Sequence, residues 1–206
     1  MIGIIDYKAG NSVSVKNACD KIGVDAVLIT SAQELQTVDS VILPGVGSAE
    51  ETMSSLKELD LVAALEDFVF AQKKPYLGIC VGMQVLFEFS EEGNTKCLGW
   101  LQGEVKKFDS TLVRIPQIGW NNILWAKQSA LKNRLAEDNY FYFVNSYFVM
   151  PKNKSDILAT AVYGQEFTAM VEHENIYASQ FHIEKSGEIG LQILKNFSLL
   201  SGGDLN

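Results

Sequence analysis

Short apolar runs alternate with amphipathic stretches along the first half of the chain. The apolar runs offer no polar face, which is typical of strands buried on both sides of a parallel sheet. They read "MIGIID", "DAVLIT", "DSVILPG" and "PYLGI". After a turn at residues 7–11, residues 13–22 carry apolar side chains at helical spacing, as do residues 49–72. Residues 82–90 are predicted to form a further helix, so the pattern predicts β-α-β units with helices on both faces of the sheet.

The second half of the chain, from Leu98 onwards, has a different character. Six segments with strand-like composition follow one another, joined by short turns, and an amphipathic helix at residues 187–200 closes the chain. The six segments read "GEVKKFD", "NNILWA", "YFYFVNSYFV", "ILATAVY", "FTAMVEH" and "IYASQFH". We therefore expect an α/β fold in three layers, with a mostly parallel central sheet flanked by helices and an antiparallel or mixed C-terminal extension. The length of 206 residues predicts a single domain, residues 1–206.

Composition and charge narrow the classes of partner. The net charge of −8 argues against nucleic acid or an anionic membrane as the main partner. No apolar run reaches the roughly 18 residues of a membrane span, and the N-terminal residues lack the pattern of a signal peptide. The three cysteines, Cys19, Cys80 and Cys97, show no metal-type spacing. We expect a cytoplasmic protein that uses neither a metal nor a cofactor.

Cys80 stands between two glycines in "GICVG", directly after the fourth predicted strand. A glycine frame around a residue at a strand-to-helix turn is the pattern of a nucleophile elbow. The N-terminal end of a helix behind the turn favours the thiolate, which is the reactive form of cysteine. The alternative is a buried cysteine with a packing role. The frame favours Cys80 as a nucleophile.

A thiol nucleophile needs a base, and the chain has two histidines, His173 and His182. His173 lies in a predicted surface turn between two strands. His182 follows the apolar segment "YASQF", and Glu184 comes two residues later, on the same face of an extended chain. A carboxylate there would orient the imidazole, so Cys80, His182 and Glu184 form a candidate triad. The glycine-rich loop "LPGVG" after the third strand could turn backbone N–H groups towards a developing oxyanion.

Five motifs together carry a resemblance to a known family. "LPGVG", "LGICVGMQ", "PQIGWN", "YFVNSY" and "QFHIEKS" occur in this order over most of the chain. The chain thus resembles the triad-type (class I) glutamine amidotransferases, above all the glutaminase subunits of imidazole glycerol phosphate synthases. Two positions depart from the family pattern, since Ile183 replaces the usual proline and Asn145 the usual histidine. Both departures leave the three triad side chains in place.

The resemblance implies a role for each matching residue. Cys80 would attack the side-chain amide of glutamine and release ammonia, His182 would transfer the protons, and Glu184 would orient His182. The backbone N–H of Val81 and one near Val46 would form the oxyanion hole. Glutamine would be held at Gly47, Gln84, Glu92, Ser146 and Tyr147. Contacts with a partner subunit would come from Trp120, Asn121, Tyr142 and Lys185.

The resemblance also implies a partner, a (β/α)-barrel synthase that forms a heterodimer with the chain and receives the ammonia. This synthase makes imidazole glycerol phosphate and an aminoimidazole carboxamide ribonucleotide in histidine biosynthesis. Two alternatives stay open: a related glutaminase that serves another acceptor, such as a surface-sugar amidotransferase, and a stand-alone thiol hydrolase. The apolar-aromatic segment "IGWNNILW" favours a docked subunit over a stand-alone enzyme.

Overall fold

A computed structural model describes residues 1–7, 11–135 and 140–200 of the chain. Its centre is a block of five parallel strands in the order β2-β1-β3-β4-β14. These strands are β1 (Ile2–Ile5), β2 (Ala26–Ile29), β3 (Ser40–Gly45), β4 (Tyr76–Cys80) and β14 (Ile176–Ser179). The four apolar runs of the first half are thus strands, as predicted. The predicted turn at residues 7–11 lies largely outside the described residues.

Antiparallel strands extend this block beyond β14. The further strands of this sheet are β5 (Phe89–Ser90), β6 (Thr95–Lys96), β7 (Gly103–Lys107), β9 (Leu124–Trp125), β11 (Tyr147–Pro151), β12 (Ile157–Tyr163) and β13 (Gln165–His173). Strand β13 pairs with β14 and with β11, and β11 pairs in turn with β7. A separate two-stranded antiparallel sheet consists of β8 (Gln117–Asn122) and β10 (Tyr140–Asn145). The mixed C-terminal extension is confirmed.

Helices flank the sheet in two groups. One group is α1 (Ser12–Lys21) packed against α6 (Gly187–Leu199). The other comprises α2 (Ala32–Leu35), α3 (Ala49–Glu58) and α4 (Leu61–Glu66), which continues as a π-helical turn, Asp67–Ala71. The helix predicted at residues 49–72 is interrupted at Asp60, which adopts a left-handed conformation with φ 53°. The three-layer α/β architecture agrees with the prediction.

The helix predicted at residues 82–90 is wrong beyond its first turn. Helix α5 comprises only Val81–Gln84. The carbonyl groups of Val85, Leu86 and Phe87 accept hydrogen bonds from the backbone of residues 98–101 rather than from the next helical turn. Because residues 81–87 are all buried, this part of the chain has no exposed face, and its periodicity does not separate helix from coil.

The predicted strand "YFYFVNSYFV" is two strands. It divides at Ser146: β10 pairs with β8 in the small sheet, whereas β11 pairs with β7 in the large one. The predicted strand "NNILWA" is likewise divided, with its first two residues in β8 and Leu124–Trp125 in β9. Each division lets one apolar run contribute to two sheets. The carboxyl ends of β3, β4 and β14 meet at one edge, where open α/β sheets carry their reactive groups.

Candidate functional site

Cys80 is the last residue of β4 and precedes helix α5 directly. Its backbone has φ 55° and ψ −107°, an unusual conformation for a residue with a side chain. The two framing glycines are required by close backbone contacts. A Cβ at Gly82 would come closer than 3.0 Å to the carbonyl oxygen of Leu43, and one at Gly78 would collide with the carbonyl oxygen of Gly82. The predicted elbow is therefore present, and its two glycines let β4, α5 and β3 pack together.

The Cys80 thiol is surrounded by two polar side chains from the segment after β14. The amide Nε2 of Gln180 donates to Cys80 Sγ at 3.6 Å, and His182 lines the same cavity as the thiol. For the other two cysteines, burial raises the pKa, to about 12 for Cys19 and to about 11 for Cys97. Among the cysteines, Cys80 is the one that lies beside a histidine.

His182 and Glu184 lie together inside the fold, with their side chains 4% and 0% exposed. His182 Nδ1 is 2.9 Å from Glu184 Oε1. Burial by itself would lower the pKa of His182, but its hydrogen bonds with Cys80 and Glu184, and their charges, raise the pKa to about 9. Burial would raise the pKa of Glu184, yet its hydrogen bonds with His182 and Asn11 lower it. The hydrogen bonds and charges of Cys80 and Glu184 thus favour the protonated form of the His182 ring.

The other histidine, His173, is remote from this cluster. It ends strand β13, and its Nδ1 lies 2.9 Å from Oδ1 of Asp156, a pair in which His173 is partly exposed and Asp156 is buried. The structure thus joins Cys80 to His182 and Glu184, and leaves His173 outside, as the sequence predicts.

A cavity of about 330 Å³ opens in front of Cys80 and His182. Its wall includes the loop after β3 and the first turn of α5. Every residue predicted to bind the substrate or to form the oxyanion hole lines this cavity: Val46, Gly47, Val81, Gln84, Glu92, Ser146 and Tyr147. Asn145 lines the cavity as well, with Pro116, Val144 and Lys185. The predicted residues therefore share one cavity with the thiol.

The loop after β3 is held beside Cys80 by the sheet. Gly45 pairs with Cys80 in the parallel ladder between β3 and β4, so Val46 lies beside the cavity mouth. Val81 is the first residue of α5, where a backbone N–H has no acceptor within its own helix. These two backbone positions flank the thiol.

The predicted partner-binding residues divide between two faces of the small sheet. Trp120 and Tyr142 are opposite each other in the β8–β10 ladder, and their rings contact edge to face at 5.9 Å. Trp120 is 56% exposed, in company with Ile118 at 65% and Tyr140 at 58%. Since side chains alternate across a strand, Asn121 belongs to the other face, and its amide donates to the Val162 carbonyl.

The small sheet is joined to His182 by hydrogen bonds. The N–H of His182 donates to the Tyr142 carbonyl at 2.9 Å. The Ser186 hydroxyl donates to the His182 carbonyl at 2.6 Å and accepts from the Tyr142 N–H at 3.0 Å. Lys185, which stands between His182 and Ser186 in the sequence, is exposed and borders the cavity. Hydrogen bonds thus connect the strand that carries Tyr142 with the backbone of His182.

Three polar residues of the site escaped the sequence reasoning: Asn11, Gln180 and Ser186. Each is nearly or fully buried, and each bonds to a residue of the candidate triad. Gln180 and Ser186 flank the "HIE" motif closely, so their nearness to His182 was the one available signal. Asn11 had none, because 173 positions separate it from Glu184.

The two residues that depart from the family pattern are both buried. Ile183 is fully buried and begins a 3-10 turn, Ile183–Lys185, so that its side chain packs into the core instead of stiffening the turn as a proline would. The amide of Asn145 donates to the Tyr147 carbonyl at 3.0 Å. Its Oδ1 has no hydrogen-bond partner among the described residues. Asn145, which lines the cavity, therefore has a side-chain oxygen that accepts no hydrogen bond from the described residues.

Across residues 1–7, 11–135 and 140–200, no group of three or more His, Cys, Asp or Glu residues could hold a metal ion. In the same part of the chain, no helix is both long and apolar enough to cross a membrane.

Comparison with known proteins gives one consistent result. A model of the family described as "Glutamine amidotransferase class-I" matches residues 3–200. Imidazole glycerol phosphate synthase subunit HisH 1 of Campylobacter jejuni is 45% identical, covering 97% of this chain and 100% of its own. Subunit HisH 2 of Methanococcus maripaludis is 43% identical, covering 96% and 98%. The structure of PurLQS from Thermotoga maritima superimposes with a TM-score of 0.78 at 16% identity, covering 97% of each chain.

Proposed function

Because the chain belongs to the class I glutamine amidotransferases, enzymes that hydrolyse glutamine, we propose that it is the glutaminase subunit of an imidazole glycerol phosphate synthase. One observation carries the proposal. The cavity that holds Cys80 and His182 is lined by every residue that the family pattern assigns to glutamine binding, in a chain whose relatives HisH 1 and HisH 2 match it almost end to end.

The proposed reaction begins at Cys80. Its thiolate attacks the side-chain amide carbon of glutamine, and the N–H groups of Val81 and of the loop at Val46 stabilise the oxyanion that forms. His182, whose pKa is raised to about 9, gives its proton to the amide nitrogen. The C–N bond then breaks, ammonia leaves and a glutamyl thioester remains.

The second half of the reaction restores the enzyme. His182, now neutral, takes a proton from a water molecule that attacks the thioester carbon, and glutamate leaves as the C–S bond breaks. Glu184 keeps the ring oriented through both halves. Since Nδ1 of His182 faces Glu184, Nε2 is the nitrogen that exchanges the proton.

In this proposal the ammonia serves a (β/α)-barrel synthase subunit. The exposed face of the small sheet, with Trp120 and Tyr142, is suited to bind that partner because exposed aromatic residues favour protein contacts. Lys185 is exposed and borders the cavity. We assign no partner contact to Asn121, because its side chain already bonds within the chain.

The test uses purified chain with and without a barrel synthase from the same organism. Glutamine hydrolysis, stimulation by the barrel subunit and its ligand, and glutamine-dependent formation of imidazole glycerol phosphate are expected. Cys80→Ala should abolish all three while synthesis from added ammonium salts persists. Hydrolysis with no effect of the barrel would indicate a stand-alone thiol hydrolase. Stimulation only by another synthase would indicate a different acceptor, and absence of hydrolysis in every mixture would refute the proposal.

A further inference from the structure

Asn11 occupies the N-cap position of helix α1 and is 6% exposed. Asparagine is among the preferred N-cap residues because its side-chain oxygen accepts a hydrogen bond from the first free N–H groups of a helix. Here the side chain makes no cap hydrogen bond within the described helix. Only the backbone carbonyl of Asn11 takes part in the helix, accepting from the Val15 N–H at 3.1 Å. The side chain therefore serves something other than the helix.

The side chain of Asn11 reaches the triad instead. Its Nδ2 donates to Glu184 Oε1 at 2.5 Å and lies 3.5 Å from His182 Nδ1. The same carboxylate oxygen faces His182 Nδ1 at 2.9 Å. The second oxygen, Oε2, is buried with no partner among the described residues. One oxygen of Glu184 thus carries both hydrogen bonds.

This one-sided arrangement has a consequence for the carboxylate. The terminal torsion of a glutamate side chain is broad and roughly two-fold, so rotamer preference alone does not decide which oxygen faces the imidazole. His182 supplies one hydrogen bond, and Asn11 supplies a second one from the fixed start of a helix. Together the two donors define the plane of the carboxylate.

We infer that Asn11 is a positioning residue of the glutaminase site, which fixes the Glu184 carboxylate against the ring of His182. The inference rests on the proposed function, in which His182 transfers protons, but it concerns a residue outside the triad. Asn11 does not line the cavity, and its contact with Glu184 is much shorter than its contact with His182, so it acts mainly through the carboxylate.

Two substitutions separate this role from helix capping. Asn11→Ser and Asn11→Asp keep a residue that caps helices well, while removing the N–H donor to Glu184. Asp also places a second carboxylate beside Glu184. Hydrogen bonds to charged groups correspond to rate effects of roughly 10-fold to 100-fold. We therefore expect kcat of the complex with the barrel subunit to fall by about that factor, with little change in KM.

A double-mutant cycle and a matched control complete the kinetic test. In a Glu184→Ala background, Asn11→Ser should cause no further loss, because its target is gone. Val15→Ala removes buried volume from the same helix without touching the triad. It should lower stability and leave kcat unchanged. Equal losses with Asn11→Ser in the presence and absence of Glu184, or no loss in kcat at all, would overturn the inference.

A spectroscopic measurement keeps the inference separate from the proposed function. The His182 Nδ1 proton, bonded to Glu184, should give a slowly exchanging NMR signal, which His182→Asn identifies. Asn11→Ser should shift that signal and speed its exchange, and an unchanged signal would overturn the inference even if the protein does not hydrolyse glutamine. Inactivity of the wild-type complex would instead refute the proposed function.

Discussion

The substitution Gly82→Ala tests the close packing beneath Cys80. A Cβ there would lie 3.0 Å from the carbonyl carbon of Leu43 and closer still to its oxygen. Leu43 pairs with Gly78 in the ladder between β3 and β4, so its carbonyl has backbone on either side and little freedom to move. To reach an ordinary contact of about 3.5 Å, helix α5 must move away from β3, and Cys80 moves with it.

The size of the effect follows from three contributions. Overpacking a filled interior costs roughly 1–3 kcal/mol, and a buried backbone group that loses its partner costs about 1–3 kcal/mol. The higher helix propensity of alanine returns at most about 1 kcal/mol. We expect the free energy of unfolding to fall by about 3 kcal/mol, a large part of the roughly 5–15 kcal/mol that holds a domain folded.

Urea unfolding of wild type, Gly82→Ala and a control, Gly47→Ala, measures this difference. A Cβ at Gly47 would meet only the carboxylate end of the Glu51 side chain, which can move aside. The control should therefore cost less than about 1 kcal/mol. An unfolding midpoint for Gly82→Ala equal to that of wild type, or an equal loss in the control, would refute the reasoning that backbone contact requires the glycine.

Three further predictions concern the site. Cys80→Ala should lower the pKa of His182 below its value of about 9, since the thiol contributes to that raised pKa; NMR titration of the ring measures it, and an unchanged midpoint contradicts it. His182→Asn should reduce glutamine turnover by several orders of magnitude, Glu184→Gln by less and His173→Asn hardly at all. A large loss of turnover in His173→Asn would contradict the proposed location of the active site. Trp120→Ala should weaken binding of the barrel subunit, measured by calorimetry, without altering the circular dichroism spectrum; unchanged affinity would exclude that face.

The pH dependence of stability has a definite sign. The folded-state pKa of His182 is raised from 6.5 to about 9. The stabilisation by its protonated ring is thus fully present below about pH 6.5 and is lost as pH rises through 9. The contribution of His182 should therefore make wild type less stable across this interval, and His182→Asn should reduce the decline. Urea unfolding at several pH values compares the two proteins, and parallel curves would contradict the assignment.

Much of the protein was determined by local sequence. The buried strands could be predicted from the sequence, because a parallel strand is covered on both faces and consists of an unbroken apolar run. The glycine frame at Cys80 could be recognised because a sharp strand-to-helix turn requires small residues close to it in the sequence. The chain has only two histidines, so there were few candidates for the base. The structure places the predicted one, His182, on the same cavity as the Cys80 thiol.

Tertiary structure decided what depends on contacts between distant segments. The helix expected at residues 82–90 ends at Gln84, since the segment at 98–101 takes the carbonyl groups that would have continued it. The run at 140–149 divides because two different sheets bond to its halves. Asn11 joins Glu184 across 173 positions. Periodicity records which side of a segment is buried, whereas only the folded chain shows which distant groups satisfy its polar atoms.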